Sequence, residues 1–502
     1  MPNYDLSSIG AVAASAELAR VRASREPNQD SYNAAWLHGY ADALANVADA
    51  LEPQQELMDA IISYMGEQHD SAELYDILHE ALAMSDKDIL SLGFDLPQCR
   101  EQIQQEKSDQ KKKRRKEETV MKDNCILTAE SVTEGHPDKL CDAIADSVLD
   151  ACLKHDPAAR VACEVMATAG KIIVAGEITV AELPDIPAIV CRTVRETGYG
   201  SDYEVEVITH DQSCDIAGAV SQDVQMGAGD QGIVYGFACS ETAELLPLPV
   251  VLAHRLTLLL TNARKTGTIQ GLGPDGKAQV SVEYHSGKPH RITAVVVSCQ
   301  HDADKDMNEL RREVTRHVIV PALRELYPDH KTEAFINPSG RFVLGGFEAD
   351  TGLTGRKLMA DTYGGLAPHG GGALSGKDGS KVDRSGAYMA RYIAKNIVAA
   401  GLAERCTVSL AYAIGKAEPV AMDIDAHQTG KYPEAVLEQA VWAVFDLTPA
   451  GMISALGLDR PIFAQFCNYG HFTHQDAPWE QTDQATALAE ACQMAAAGAF
   501  SR

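Results

Sequence analysis

Between Ile336 and Gly386 the chain reads "INPSGRFVLGGFEADTGLTGRKLMADTYGGLAPHGGGALSGKDGSKVDRSG". Asp350, Arg356, Lys357, Asp361, Lys377, Lys381, Asp383 and Arg384 fall within 35 residues here, spaced by glycines. A solvated loop has no need of so many glycines, whereas a backbone that must come close to something does. Arg and Lys are the natural clamp for a polyphosphate. Asp supplies oxygen ligands to Mg²⁺, which bridges phosphate oxygens. Whatever else the chain builds, it must hold these long glycine-rich loops around a phosphate or nucleotide site.

The remaining sequence bounds the scaffold. The chain has 502 residues, enough for several domains and a sizeable core. Its formal charge of -27 argues against a general nucleic-acid binder, because a phosphate backbone would be repelled. No apolar run reaches the ~18 residues of a membrane span. The start "MPNYDLSSIGAVAASAELAR" lacks the basic and apolar regions of a signal peptide. The 12 cysteines are scattered without a C-x-x-C pair, which fits reduced thiols and a cytoplasmic location.

Two parts differ in texture. Residues 1–105 carry helical patterning, with Trp36, Tyr40, Leu44 and Val47 on one face and Leu74, Ile77 and Leu78 in a second run. The alternatives for this module are a helical unit held by its own core and a helix that binds a protein partner. A charged linker over 106–120 includes six consecutive basic residues, Lys111 to Lys116, and such a run repels itself into solvent. From Met121 onward the texture is mixed α+β. "KIIVAGEITV", "YEVEVITH", "KAQVSVEYHSGK" and "RITAVVVSC" read as strands. "DKLCDAIADSVLDACLKH", "LPLPVVLAHRLTLLLTNARKTG" and "RSGAYMARYIAKNIVAAG" read as helices.

In "TAESVTEGHPDKLCDAIADSVLD" a helix begins near Pro137, which places His136, Asp138 and Lys139 at an anion-attracting N-terminus. Plain capping by Thr133 and Asp138 is the alternative. "QMGAGDQGIVYGF" gives a tight glycine turn around Asp230 before an apolar strand. Gly371, Gly376 and Lys377 fit G-x-x-x-x-G-K, but Asp378 stands where a P-loop needs Ser or Thr. A P-loop-like ATP hydrolase is thereby disfavoured. A nucleotide-binding scaffold with weak or no catalysis is the other alternative, and the number of charged site residues counts against it.

Taken together, "TAESVTEGHPDK", "GAGDQG", "GLTGRK", "DTYGG" and "GGGALSGKDGSKVDRS" resemble, in order, the signature segments of the S-adenosylmethionine synthetases. The resemblance covers residues 121–502 and leaves the N-terminal module unmatched. It implies three similar α+β domains in pseudo-threefold arrangement. It implies a homodimer or tetramer with active sites between subunits, and the substrates ATP and L-methionine. The reaction implied is attack of the methionine sulfur on the ribose C5′. Tripolyphosphate leaves and is hydrolysed to phosphate and diphosphate.

The same resemblance implies residue roles. His136, Lys277, Arg356, Lys377 and Asp230 are the implied catalytic set. ATP contacts are implied for His136, Asp275, Gly276, Lys277, Arg341, Phe342, Asp350, Arg356, Lys357, Ala373 and Lys377. Glu177, Gln212, Asp350 and Lys381 match methionine contacts. Asp138 and Asp383 match Mg²⁺ ligands, and Glu164 matches a K⁺ ligand. A flexible lid is implied by Gln212, Ser213, Asp215, Ile216 and Gln222. Cys214 stands where proline is frequent in that lid, and Thr351 where bacterial members often carry Cys.

Overall fold

Three sheets, each backed by one long helix, make up the part of the chain that carries the motifs. The computed structural model describes residues 124–200, 202–213, 226–324, 326 and 328–498. The helical module and linker expected over 1–120 lie outside these residues. So do Asp215, Ile216 and Gln222 of the expected lid.

The first sheet runs in the order β1 (Asn124–Val132), β6 (Leu272–His285), β7 (Lys288–His301), β8 (Glu333–Ile336). The second runs β4 (Glu204–His210), β3 (Lys171–Thr179), β2 (Arg160–Thr168), β9 (Gly352–Leu353). The third runs β11 (Ala421–Asp425), β10 (Arg405–Tyr412), β5 (Gly232–Cys239). Parallel pairing occurs only at β3–β4 and β7–β8 among these strands. Each sheet takes one strand from a distant stretch of chain. β1 pairs with β6, β9 with β2, and β5 with β10, all antiparallel.

Each sheet's helix is legible as a stripe. In α1 (Pro137–His155), Leu140, Ile144, Val148 and Cys152 recur every fourth residue and pack over Val161, Cys163 and Val165 of β2. Burying each aliphatic side chain of this stripe contributes roughly 1.5–3 kcal/mol. The next helix, α2 (Ile186–Thr197), joins the same core. In α3 (Leu248–Lys265), Leu248, Leu252, Leu256 and Leu260 cover Val280, Val282, Val295 and Val297 of the first sheet. A further helix, α4 (Met307–Val314), adds Leu310 and Val314 to that core. In α5 (Val382–Ala399), Met389, Ile393 and Ile397 pack with Val234 and Val408 of the third sheet. Helices α6 (Glu434–Val444), α7 (Pro449–Leu456) and α8 (Ala485–Ala496) join α5 in the same core. The strands alternate as period-two elements: along β2, Val161, Cys163, Val165 and Ala167 point inward while Glu164, Met166 and Thr168 point out.

No helix among the described residues is long and apolar enough to cross a membrane.

Candidate active site

The two charged glycine loops are laid along one edge of β2. Thr354 N donates to Val165 O at 3.0 Å, and Val165 N donates to Thr354 Oγ1 at 2.7 Å. Farther along the same strand, Cys163 N donates to Gly376 O at 2.9 Å and Asp378 N to Val161 O at 3.1 Å. The glycines serve this docking. Gly376 has φ +81°, and a Cβ there would sit 2.0 Å from the Cys163 carbonyl oxygen; one at Gly372 would sit 2.3 Å from Asp383 Oδ1. The close approach read from the sequence is therefore an approach to the protein's own backbone and side chains, which fixes the loops. Asp378 is a buried pivot, accepting from Val161 N, Ser380 N and Lys381 Nζ. It occupies the position where a P-loop would carry its Mg²⁺ hydroxyl.

One group of charges gathers at the start of α1. His136, not Thr133, caps the helix: its Nδ1 accepts from Asp138 N at 3.2 Å. Thr133 Oγ1 instead donates to Pro274 O at 2.7 Å and ties the end of β1 to the loop bearing Asp275. With Nδ1 an acceptor, the neutral ring carries its proton on Nε2. Burial, then the Lys357 and Lys277 ammonium groups, push His136 down to about 3, so the ring is neutral throughout the physiological range. Asp138 Oδ2 holds Lys357 Nζ at 2.6 Å, Asp138 Oδ1 accepts from Leu353 N, and Arg356 stands 3.9 Å away. Burial alone would raise Asp138; the bonds from Lys357 and Leu353 outweigh it and leave the carboxyl below its usual range. Lys277 faces outward from β6, opposite Val132. Asp275 is buried and accepts from Gly346 N at 2.9 Å, and burial raises it. Its neighbour Gly276 accepts the Thr133 N–H.

The second group gathers at the start of α5. Lys377 Nζ lies 2.6 Å from Asp383 Oδ2, and Lys381 Nζ 2.6 Å from Asp378 Oδ2. Glu164 stands on the outward face of β2. Burial of its carboxyl raises it, Lys377 pulls it back, and Asp142 and Glu177 add to the rise. On the neighbouring strand Glu177 Oε1 lies 3.5 Å from His210 Nε2. Gln212 N donates to Thr179 Oγ1 at 3.0 Å just beyond β4, and Ser213 follows it.

The remaining expected residues are placed individually. Ala373 abuts the Gly355 turn. The Phe342 backbone is pinned by the His301 side chain and main chain, at 3.0 and 2.8 Å, and Arg341 beside it is exposed. Asp230 is exposed in the turn before β5. Asp350 is exposed and acts electrostatically on Asp275, so it belongs with the first group, while Glu177 belongs with the second. Of the eight charges singled out in the sequence, two are structural. Arg384 is buried on Asp146 at 2.7 and 2.8 Å, and Asp361 is buried on Lys139 at 2.7 Å.

Domain models of one family match three consecutive stretches. They are the S-adenosylmethionine synthetase N-terminal domain over residues 124–224, the central domain over 225–342 and the C-terminal domain over 344–481. The chain belongs to the S-adenosylmethionine synthetase family. It is a methionine adenosyltransferase whose substrates are ATP and methionine, in a family that depends on metal ions. The three synthetase domains are three similar α+β units, and each lends a strand to the next. β1 of the N-terminal stretch sits in the central sheet, β5 of the central stretch in the C-terminal sheet, and β9 of the C-terminal stretch in the N-terminal sheet.

Reading the sequence for charge clusters missed the synthetase's buried acids on α1. Asp142 and Asp146 carry no charge to the surface, but they follow Asp138 at helical spacing in "PDKLCDAIADSVLD", which is a readable signal. Burial, and then Asp361, push the Asp142 carboxyl up to about 7 against the pull of Lys139.

Proposed function

We propose that the two charge groups form the cradle of a leaving tripolyphosphate. The observation that carries this reading is His136. It is a neutral, buried imidazole with its proton on Nε2, set between Lys277 and Lys357 at a helix N-terminus. A thioether sulfur is nucleophilic as it stands, so the attack on C5′ needs no general base. The difficulty lies in the leaving oxygen, which gains charge as the C5′–O bond breaks. His136 Nε2–H donates to that oxygen, and Lys277, Arg356, Lys357 and Lys377 neutralise the phosphates, with Asp230 nearby. Arg341 and Phe342 hold the adenine side, and Asp275, Gly276 and Ala373 line it. Glu177 and Asp350 take the methionine ammonium, Gln212 and Lys381 its carboxylate end.

The carboxylates suit Mg²⁺. Among the described residues no group of three or more His, Cys, Asp or Glu forms a metal cage. Mg²⁺ keeps several waters and binds through one or two carboxylates together with substrate phosphates. Asp138 and Asp383 are such carboxylates, and Asp138 stays ionised. When bound, Mg²⁺ offsets charge on the phosphate oxygens. Lys357 and Lys377, now seated on those two carboxylates, then turn to phosphate. Glu164, with the fields of Asp142 and Glu177 added to its own, is the K⁺ ligand.

Glu177 and Asp350 belong to different groups, which supports a site completed by a second copy, as homodimer or tetramer. Outward-facing Met166, Ile208 and Ile233 on the open sheet faces supply apolar surface for that pairing. Residues 212–222 close over the substrates as a lid and exclude water. Residues 1–105 are an added helical module that tethers an unidentified protein, and 106–120 its linker. The ten described cysteines are free thiols, in keeping with a cytoplasmic location.

The test is to incubate the purified chain with ATP, methionine, Mg²⁺ and K⁺ and identify products by mass. S-adenosylmethionine, phosphate and diphosphate are expected, and His136→Asn should lower kcat by about 10²-fold. ADP and phosphate alone would favour an ATP hydrolase. A chain starting at Met121 should keep kcat within a few-fold.

A further inference from the structure

Helix α1 carries an aspartate at every fourth position from Asp138 to Asp150, and each carboxylate accepts main-chain N–H groups from a distant segment. Asp138 Oδ1 takes Leu353 N at 3.0 Å, and Asp142 Oδ1 takes Gly355 N at 2.8 Å. Asp146 Oδ1 takes Gly376 N at 2.8 Å, and Asp150 takes Phe463 N and Ala464 N, both at 2.9 Å. The first three also pair with cations, the nearest being Lys357 at 2.6 Å, Lys139 at 3.2 Å and Arg384 at 2.7 Å. Asp142 and Asp146 are fully buried, so water does not compete for these bonds.

The amides held by Asp142 and Asp146 belong to the residues immediately before clamp residues. Gly355 precedes Arg356 and Lys357, and Gly376 precedes Lys377. A carboxylate that fixes the amide fixes the Cα from which the cationic side chain projects. We propose that Asp142 and Asp146 are positioning residues for adenosyl transfer, aiming the two phosphate loops by their backbone amides. The inference rests on the clamp assigned above to Arg356, Lys357 and Lys377.

Of the two, Asp142 is the adjustable rung. Its Oδ2 meets only the Lys139 ammonium, at 3.2 Å, and that ammonium is shared with Asp361, which it approaches more closely, at 2.7 Å. Asp146, by contrast, has both oxygens on Arg384. The three bonds from the loops are equivalent in chemistry, so a change at Asp142 isolates aim from charge removal at the site.

The probe is inorganic tripolyphosphate with Mg²⁺, titrated calorimetrically into the full chain, with adenosine titrated separately. Asp142→Glu keeps the charge but moves the acceptor by one methylene. It should weaken tripolyphosphate binding about tenfold and lower kcat by about 10- to 100-fold, the scale of an ångström-sized misplacement. Adenosine affinity and the methionine KM should be unmoved. Asp142→Ala removes the acceptor for the Gly355 N–H and should weaken tripolyphosphate binding by about tenfold or more, again with adenosine affinity unmoved. Asp150→Ala, whose rung touches neither loop, should lower thermal stability and leave tripolyphosphate affinity unchanged. Lys377→Ala must itself weaken tripolyphosphate binding; if it does not, the clamp reading fails. If Lys377→Ala weakens binding but Asp142→Glu does not, or if Asp142→Glu weakens adenosine equally, the positioning role is overturned. Should Asp142→Glu fail to fold, Asp142→Ala decides the matter: unchanged tripolyphosphate affinity there overturns the positioning role.

Discussion

Helix α5 carries two kinds of ion pair a few turns apart. At its first turn Asp383 holds the single ammonium of Lys377 at 2.6 Å, and the two side chains are 26% and 19% exposed. Farther along, the buried Arg391 spends all five guanidinium N–H groups on acceptors within the protein. Two go to Glu480, both at 2.8 Å, and three to the carbonyls of Phe237, Leu245 and Glu244. Lys395 adds a further bond to Glu480 at 2.6 Å. A planar fork with every donor filled cannot leave without orphaning several groups. A lysine on one oxygen can turn to a phosphate and leave its carboxylate to a metal ion. The distances are alike; what separates the pairs is how much else depends on them. The buried set locks α5 to β5 and to the segment ending at Glu480, whereas the half-buried pair at the first turn rests on one bond.

The largest expected effect breaks the buried set. Arg391→Ala should cost about 3–5 kcal/mol, the penalty for stranding a buried charge, and calorimetric melting would show it. A loss under about 1 kcal/mol would dissolve the contrast. Next, Lys377→Ala should lower kcat by about 10²-fold at saturating substrate, with little change in melting temperature. A comparable loss of stability would place Lys377 with the structural pairs.

Smaller and more discriminating is Lys377→Arg. A bidentate fork on Asp383 should resist exchange, so the KM for Mg–ATP should rise about tenfold while the fold is kept or strengthened. Unchanged kinetics would mean that exchange is not what the cradle requires. The smallest effect concerns His136, a cradle residue buried like a core one. Its ring is held near a pKa of 3, so it does not change charge between pH 5 and 8. Its donor proton is therefore present across that window. The kcat profile should show no limb that disappears in His136→Asn.

The sequence made the helices and most strands readable, because each presents its apolar face at its own period. Leu140, Ile144, Val148 and Cys152 announce α1, and the alternation of β2 announces a strand backed on one side. The charged loops were readable as a cluster. What the glycines approach was not, since Cys163 and Asp383 meet Gly376 and Gly372 only after folding. Periodicity names a buried face without naming what lies against it. For the same reason Arg384 and Asp361 looked like site residues: nothing local distinguishes a cation that reaches solvent from one that reaches Asp146. The acids of α1 were visible as spacing, and their partners were not.

The circular lending of strands has a consequence for how the chain is made. Thr128 on β1 meets Ser281 on β6, 153 residues later, and Val165 on β2 meets Thr354, 189 residues later. At a synthesis rate of about 5–20 residues per second, β1 emerges from the ribosome roughly eight to thirty seconds before its neighbour exists. During that interval its edge is an unpaired strand, open to any other nascent chain. None of the three matched stretches can finish its own sheet, so cutting the gene at their borders yields fragments with a missing strand. Stalling translation between β2 and β9 should expose this, because the N-terminal sheet closes only when residues near 352 have been added.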